Sequence, residues 1–230
     1  MMPYFFFDTG YLLFVLPALI FAIWAQMQVR TAYEKYSRVR ASRGYSAFEV
    51  AKGLLRQAGL EDVEIERIPG TLSDHYDPRT RTLRLSAGTM DSSSVAALAV
   101  AAHEVGHAVQ HAVGYAGLQI RNGLVPVAQF ASMAAFPLFV MGLFTNSGFL
   151  MDLGLLLFGG AVIFQVITLP VEYNASRRAM EMLEGSGYIS PDEVRPVGEV
   201  LNAAALTYVA ATAMAVAQFL RLLLLRPRRD

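Results

Sequence analysis

Apolar residues fall in unbroken blocks along this chain, and these blocks limit the fold more than any other feature. YLLFVLPALIFAIWAQM (Tyr11 to Met27), Leu124 to Phe144 and Phe149 to Leu169 each approach or reach the ~20 residues with which a helix crosses a bilayer. Only TNSG separates the second block from the third, so these two predict a helical hairpin. A fourth block, Leu201 to Leu225, is Ala-rich and carries Arg221; it either spans or lies along the interface. With 54% apolar and 17% charged residues among 230, the chain has the composition of a small domain joined to membrane spans.

Charge placement orients the spans. No Lys or Arg precedes Arg30, twelve lie between Gln26 and Gly123, none lies between Asn122 and Ser176, and Arg177, Arg178 and Arg195 follow. The first block lacks a basic leader and an A-x-A site, so it reads as an uncleaved anchor rather than a signal peptide. The positive-inside bias then puts the N-terminus outside, 28–123 in the cytoplasm, the TNSG tip outside, and Glu172 back inside. Were the fourth block to span, Arg226, Arg228 and Arg229 would lie outside, against the same bias. Net charge is zero, so nothing points to nucleic acid as a partner. With no cysteine, a transition-metal site must draw on His, Asp and Glu, a donor set that suits zinc.

The expected divisions are an anchor at 1–28, a cytoplasmic α+β region at 29–123, the hairpin at 124–170, cytoplasmic helices at 171–200, and an apolar helix with a basic tail at 201–230. In the α+β region, Ser46 and Glu49 predict a capping box that opens a helix ended by Gly59. DVEIERI alternates as a half-buried strand does. Asp77-Pro78 predicts a turn, followed by a strand with Leu83 and Leu85 on one face. DSSS (Asp91 to Ser94) caps a long Ala- and Val-rich helix reaching about Val113. Downstream, LPVEYNASRRAMEMLEGSG predicts a helix stopped at Gly185 to Gly187, and Ser190-Pro191 starts another.

The Ala-rich helix carries HEVGHAVQH, His103 to His111. At i and i+4, His103 and His107 share a face and can converge on one ion, with Glu104 beside it as a proton acceptor. His111 lies about 12 Å along the axis from His103, too far to join both on a straight helix. It reads as a polar residue near the helix end. The third ligand must come from elsewhere: His75 is one option, and Glu172, the first acidic residue after the third block, is favoured over it. Glu181 and Glu184 lie further along the same helix and read equally well as solvated charges.

HEVGH, an apolar hairpin and then EYNAS resembles the gluzincin class of membrane zinc peptidases, including the HtpX-like heat-shock peptidases. SDHYDPRTRTLRLS, AAHEVGHAVQH and LPVEYNASRRAM together resemble the YugP-like family of neutral zinc metallopeptidases, over nearly the whole chain. The resemblance implies His103, His107 and Glu172 as ligands of one zinc ion per chain, with Glu104 as general base. It departs from the HtpX pattern at Ser176, where that group has an Asp that would brace a ligand histidine. Ser176 can accept the same hydrogen bond without adding charge.

The expected whole is a mainly α-helical integral membrane protein of three or four transmembrane helices, with a small cytoplasmic α+β region of zincin type. Its expected activity is zinc-dependent hydrolysis of peptide bonds in membrane-associated or misfolded proteins near the cytoplasmic membrane surface. The competing reading, a catalytically silent zinc-binding scaffold or sensor for partner membrane proteins, is weakened by an intact Glu104. His75, Tyr76, Arg177, Arg178 and Tyr208 are candidates for binding substrate or the oxyanion. By analogy with zincins, the strand Thr82 to Ser86 is expected to pair with an extended substrate.

Overall fold

The computed structural model describes residues 8–226. Four of its helices are long and apolar enough to cross a membrane: α1 (Tyr11–Tyr36), α5 (Ala116–Phe144), α6 (Gly148–Ser186) and α7 (Val194–Leu225, entered through a 3₁₀ turn at Pro191–Glu193). Between α1 and α5 lie α2 (Ala47–Gln57), β1 (Glu64–Ile68), β2 (His75–Asp77), β3 (Thr82–Ser86), the single turn α3 (Ala87–Met90) and α4 (Val95–Ala112). The fourth apolar block is therefore part of one continuous helix of spanning length. The basic residues Arg228 and Arg229 lie outside the described residues.

The chain divides into two compact units, Met1–Gln26 with Ile120–Leu169 and Thr207–Asp230, and Met27–Gln119 with Pro170–Leu206. In the first, α5 and α6 meet at a small-residue contact. A Cβ on Gly154 would lie 2.7 Å from the Ala135 carbonyl oxygen, so glycine is what lets the two backbones touch. Phe139, Met151, Leu155 and Leu222 form the buried cluster there. Asn146, with φ at +54°, turns the chain at TNSG.

The second unit holds the sheet and a larger core. Ser46 accepts from the Glu49 N–H at 3.2 Å while Glu49 accepts from the Ser46 N–H at 2.7 Å, and this capping box starts α2. Ser94 accepts from the Ala97 N–H and starts α4. Val50, Leu54, Leu83, Leu85, Leu98 and Val105 are all buried between these helices and the sheet.

Strand order is β1-β3-β2, with β1 parallel and β2 antiparallel to β3. This corrects the role expected for Thr82 to Ser86. That strand is central: β1 pairs along all of it, and on the other side β2 pairs Thr82 to Arg84 while Asp74 takes the Ser86 N–H, so no extended chain can add to it. The edge on that side is β2, a three-residue strand that the sequence pattern does not reveal.

Candidate active site

Helix α4 presents His103 and His107 one turn apart, with ring centroids 4.8 Å apart and planes at 88°. Helix α6 brings Glu172 against both. Its Oε2 lies 3.2 Å from His103 Nε2 and 3.5 Å from His107 Nε2. The approach depends on Gly106, between the two histidines: a Cβ there would stand 2.5 Å from the Ala175 carbonyl oxygen. A tetrahedral zinc with bonds near 2.05 Å has edges of about 3.3 Å. The separations of Glu172 from the two histidines match such edges, so the two nitrogens and the carboxylate form a donor set able to hold the ion.

Each ring is braced on its far side. His103 Nδ1 lies 3.1 Å from Ser176 Oγ, one turn beyond Glu172 on α6. His107 Nδ1 lies 3.0 Å from Gln110 Oε1. Gln110 is fully buried, and its Nε2 donates to the Val171 carbonyl at 2.8 Å and to Asn174 Oδ1 at 3.0 Å. Those two acceptors fix the amide orientation, so Gln110 Oε1 must accept. His107 therefore carries its proton on Nδ1 and turns the Nε2 lone pair toward Glu172.

Glu104 is held from the other side. The backbone N–H of Tyr76, on the outer edge of β2, donates to its Oε2 at 3.0 Å. Burial pushes the Glu104 carboxyl up to about 7, with Glu172 and Asp74 adding to the rise; His103 and the Tyr76 N–H oppose it. Such a group exchanges a proton readily near neutral pH.

The remaining candidates separate. Tyr76 is at the site, and its hydroxyl lies 2.9 Å from His111 Nδ1, so His111 braces Tyr76. His75 alternates to the exposed side of β2, with Nδ1 2.9 Å from the Ser73 carbonyl, and Glu172 rather than His75 accompanies the histidine pair. Arg177 is exposed and lies 3.8 Å from Glu181, while Arg178 donates to Asn174 at 2.9 Å and so backs the Gln110 network. Tyr208 belongs to the other compact unit. Sequence reasoning missed Gln110, Asn174 and Asp74. Asp74 accepts from the Ser86 N–H at 2.7 Å and from the hydroxyls of Ser86 and Thr89 at 3.1 Å each, which anchors the β2 approach. A polar residue one turn past the second histidine was the only signal for Gln110.

A helical membrane protein with a His-His-Glu donor set beside a half-buried carboxylate has the makings of a metallopeptidase, and comparison with known proteins agrees. The chain belongs to the family described as "Putative neutral zinc metallopeptidase", whose pattern it matches over residues 11–226. It is 45% identical over 215 residues, 94% of this chain and 96% of the relative, to "Putative membrane protease YugP" of Bacillus subtilis (strain 168). No solved structure matches it.

Proposed function

We propose that this protein is a membrane-anchored zinc endopeptidase in which His103, His107 and Glu172 hold one ion and Glu104 is the general base. The observation that carries the reading is the convergence of those three donors beside Glu104, a half-buried carboxylate held by the Tyr76 N–H. Zinc, when bound, would supply a Lewis acid for the scissile carbonyl and lower the pKa of water at the site. Glu104 takes the proton of the attacking water and returns it to the leaving amine, and the Tyr76 N–H keeps its carboxylate in place for both transfers. Ser176 and Gln110 keep the imidazoles turned inward. Tyr76, whose N–H meets Glu104 and whose hydroxyl meets His111, is the oxyanion candidate in this reading.

The substrates in this reading are membrane-associated or misfolded proteins cut near the cytoplasmic membrane surface, since the basic residues cluster on the segments that carry the site. Glu172 follows the third apolar block by three residues, which supports the same placement.

The test compares wild type with Glu104→Gln in membrane fractions, scoring proteins that accumulate, alongside zinc content. Glu104→Gln should retain zinc and lose cleavage by roughly 10²-fold or more. His103→Ala should lose zinc. Full zinc occupancy in His103→Ala, or unchanged cleavage by Glu104→Gln, would overturn the assignment.

A further inference from the structure

The first compact unit carries a groove of about 570 Å³ between α5 and α6, lined by Ala128, Gln129, Ser132, Met133, Ala161 and Gln165 among others. Its position is unusual for its chemistry. Gln129 lies five residues inside the second apolar block and Gln165 four residues before the end of the third, so each stands about 6–8 Å along its helix from the end of that block. Gln129 and Ser132 are exposed, Gln165 is half-buried, and none of the three side chains has a hydrogen-bond partner among the described residues. Pro137 removes the helical donor for the Met133 carbonyl, on the same turn of α5 as Ser132.

Amides without hydrogen-bond partners are costly in lipid, where no water can supply one. Polar side chains inside a membrane face a protein partner or water far more often than lipid. Ala128 and Ala161 keep the groove floor low enough for a second backbone to approach. An amide donor and acceptor on each of two helices, a hydroxyl between them and small residues beneath are the features that recognise a helix bearing its own hydrogen-bonding side chain.

We propose that this groove docks a membrane-spanning helix of another protein, one with an Asn, Gln, Ser or Thr about one to two turns from the end of its apolar stretch. Calling that guest a substrate rests on the peptidase reading; the docking itself does not. A polar side chain on a transmembrane helix stays unsatisfied until its native partner covers it, so the groove would favour unassembled chains.

The absence of cysteine allows a direct test. Full-length Ser132→Cys protein in phosphatidylcholine–phosphatidylglycerol vesicles is oxidised with a synthetic poly-Leu transmembrane peptide carrying one cysteine, with or without a neighbouring Asn. The Asn peptide should cross-link roughly three- to tenfold more, from the strength of hydrogen bonds between membrane helices. The preference should vanish when Gln129→Leu and Gln165→Leu are added. Val127→Cys, exposed on α5 away from the groove, should show no preference. Equal linking of the two peptides, a preference that survives both substitutions, or disulfide formation chiefly between two copies of this protein would each overturn the proposal. Because the readout is binding, these outcomes are separable from the zinc and cleavage results above.

Discussion

Gln110 fixes His107: its Oε1 stands 3.0 Å from the ring Nδ1, and its Nε2 is committed to Val171 and Asn174 on α6. The bond thus sets the tautomer of one proposed ligand and ties α4 to α6 at once. Gln110→Leu should leave the fold in place and weaken zinc binding about 10- to 100-fold. Competition against a fluorescent chelator measures it. Affinity unchanged from wild type would show that the ring is oriented without Gln110.

Gly106 makes a second claim on the same helix pair. An added methyl would meet the Ala175 carbonyl, which cannot yield without moving α6 and Glu172 with it. Gly106→Ala should therefore cost about 1–3 kcal/mol despite the better helix propensity of alanine, and should weaken zinc binding as well. Gly185→Ala is the control, since no heavy atom lies within 4 Å of its added Cβ. Thermal unfolding in detergent, with and without zinc, separates the two variants.

Local signals explain how much of this could be read in advance. Caps at Ser46 and Ser94, the apolar blocks, and the i, i+4 spacing of His103 and His107 all act within a few residues, and all stand in the sequence. Strand β2 does not, because three residues beside an Asp-Pro turn are too few to show alternation. It occupies the side of Thr82 to Ser86 where the analogy with zincins placed a substrate. The Gln110–Asn174 contact joins residues 64 apart and exists only once α4 and α6 meet. Helix α1 runs on to Tyr36, beyond its apolar block, because Gln28 to Tyr36 contains neither Gly nor Pro to stop it. Gln129 and Gln165 were hidden by the apolar average of their blocks.

Asp77 gives an acid-stability prediction. The Arg84 guanidinium donates to it at 2.8 Å and, with the Arg79 N–H, lowers its carboxyl to about 2 from an ordinary 3.8. A depressed carboxylate stabilises the fold above its unfolded pKa, and that contribution fades as pH falls through the folded value. Asp77→Asn should thus lie below wild type by roughly 1–2 kcal/mol at pH 6, and the gap should close between about pH 4 and pH 2. Denaturant titrations of both proteins across that range test it. A gap that persists at pH 2 would assign the loss to packing instead.

Asp8 and Arg221 pair at 2.8 Å, with both side chains largely buried, and Arg226 pairs with Asp152 at 2.7 Å. These contacts join the start of α1, the start of α6 and the end of α7 within one compact unit. With all four helices spanning, both described chain ends and the TNSG turn would lie on the same side of a bilayer. The pairs also offset the cost of holding Arg221 in an apolar segment, where an unpaired guanidinium is expensive. Single cysteines at Thr9, Asn146 and Arg226 should react with an impermeant maleimide from one face of sealed vesicles, and one at Tyr45 only from the other. If charge bias sets the orientation, the first three react from outside intact cells. Labelling of the Arg226 position from the Tyr45 side would mean that α7 does not span.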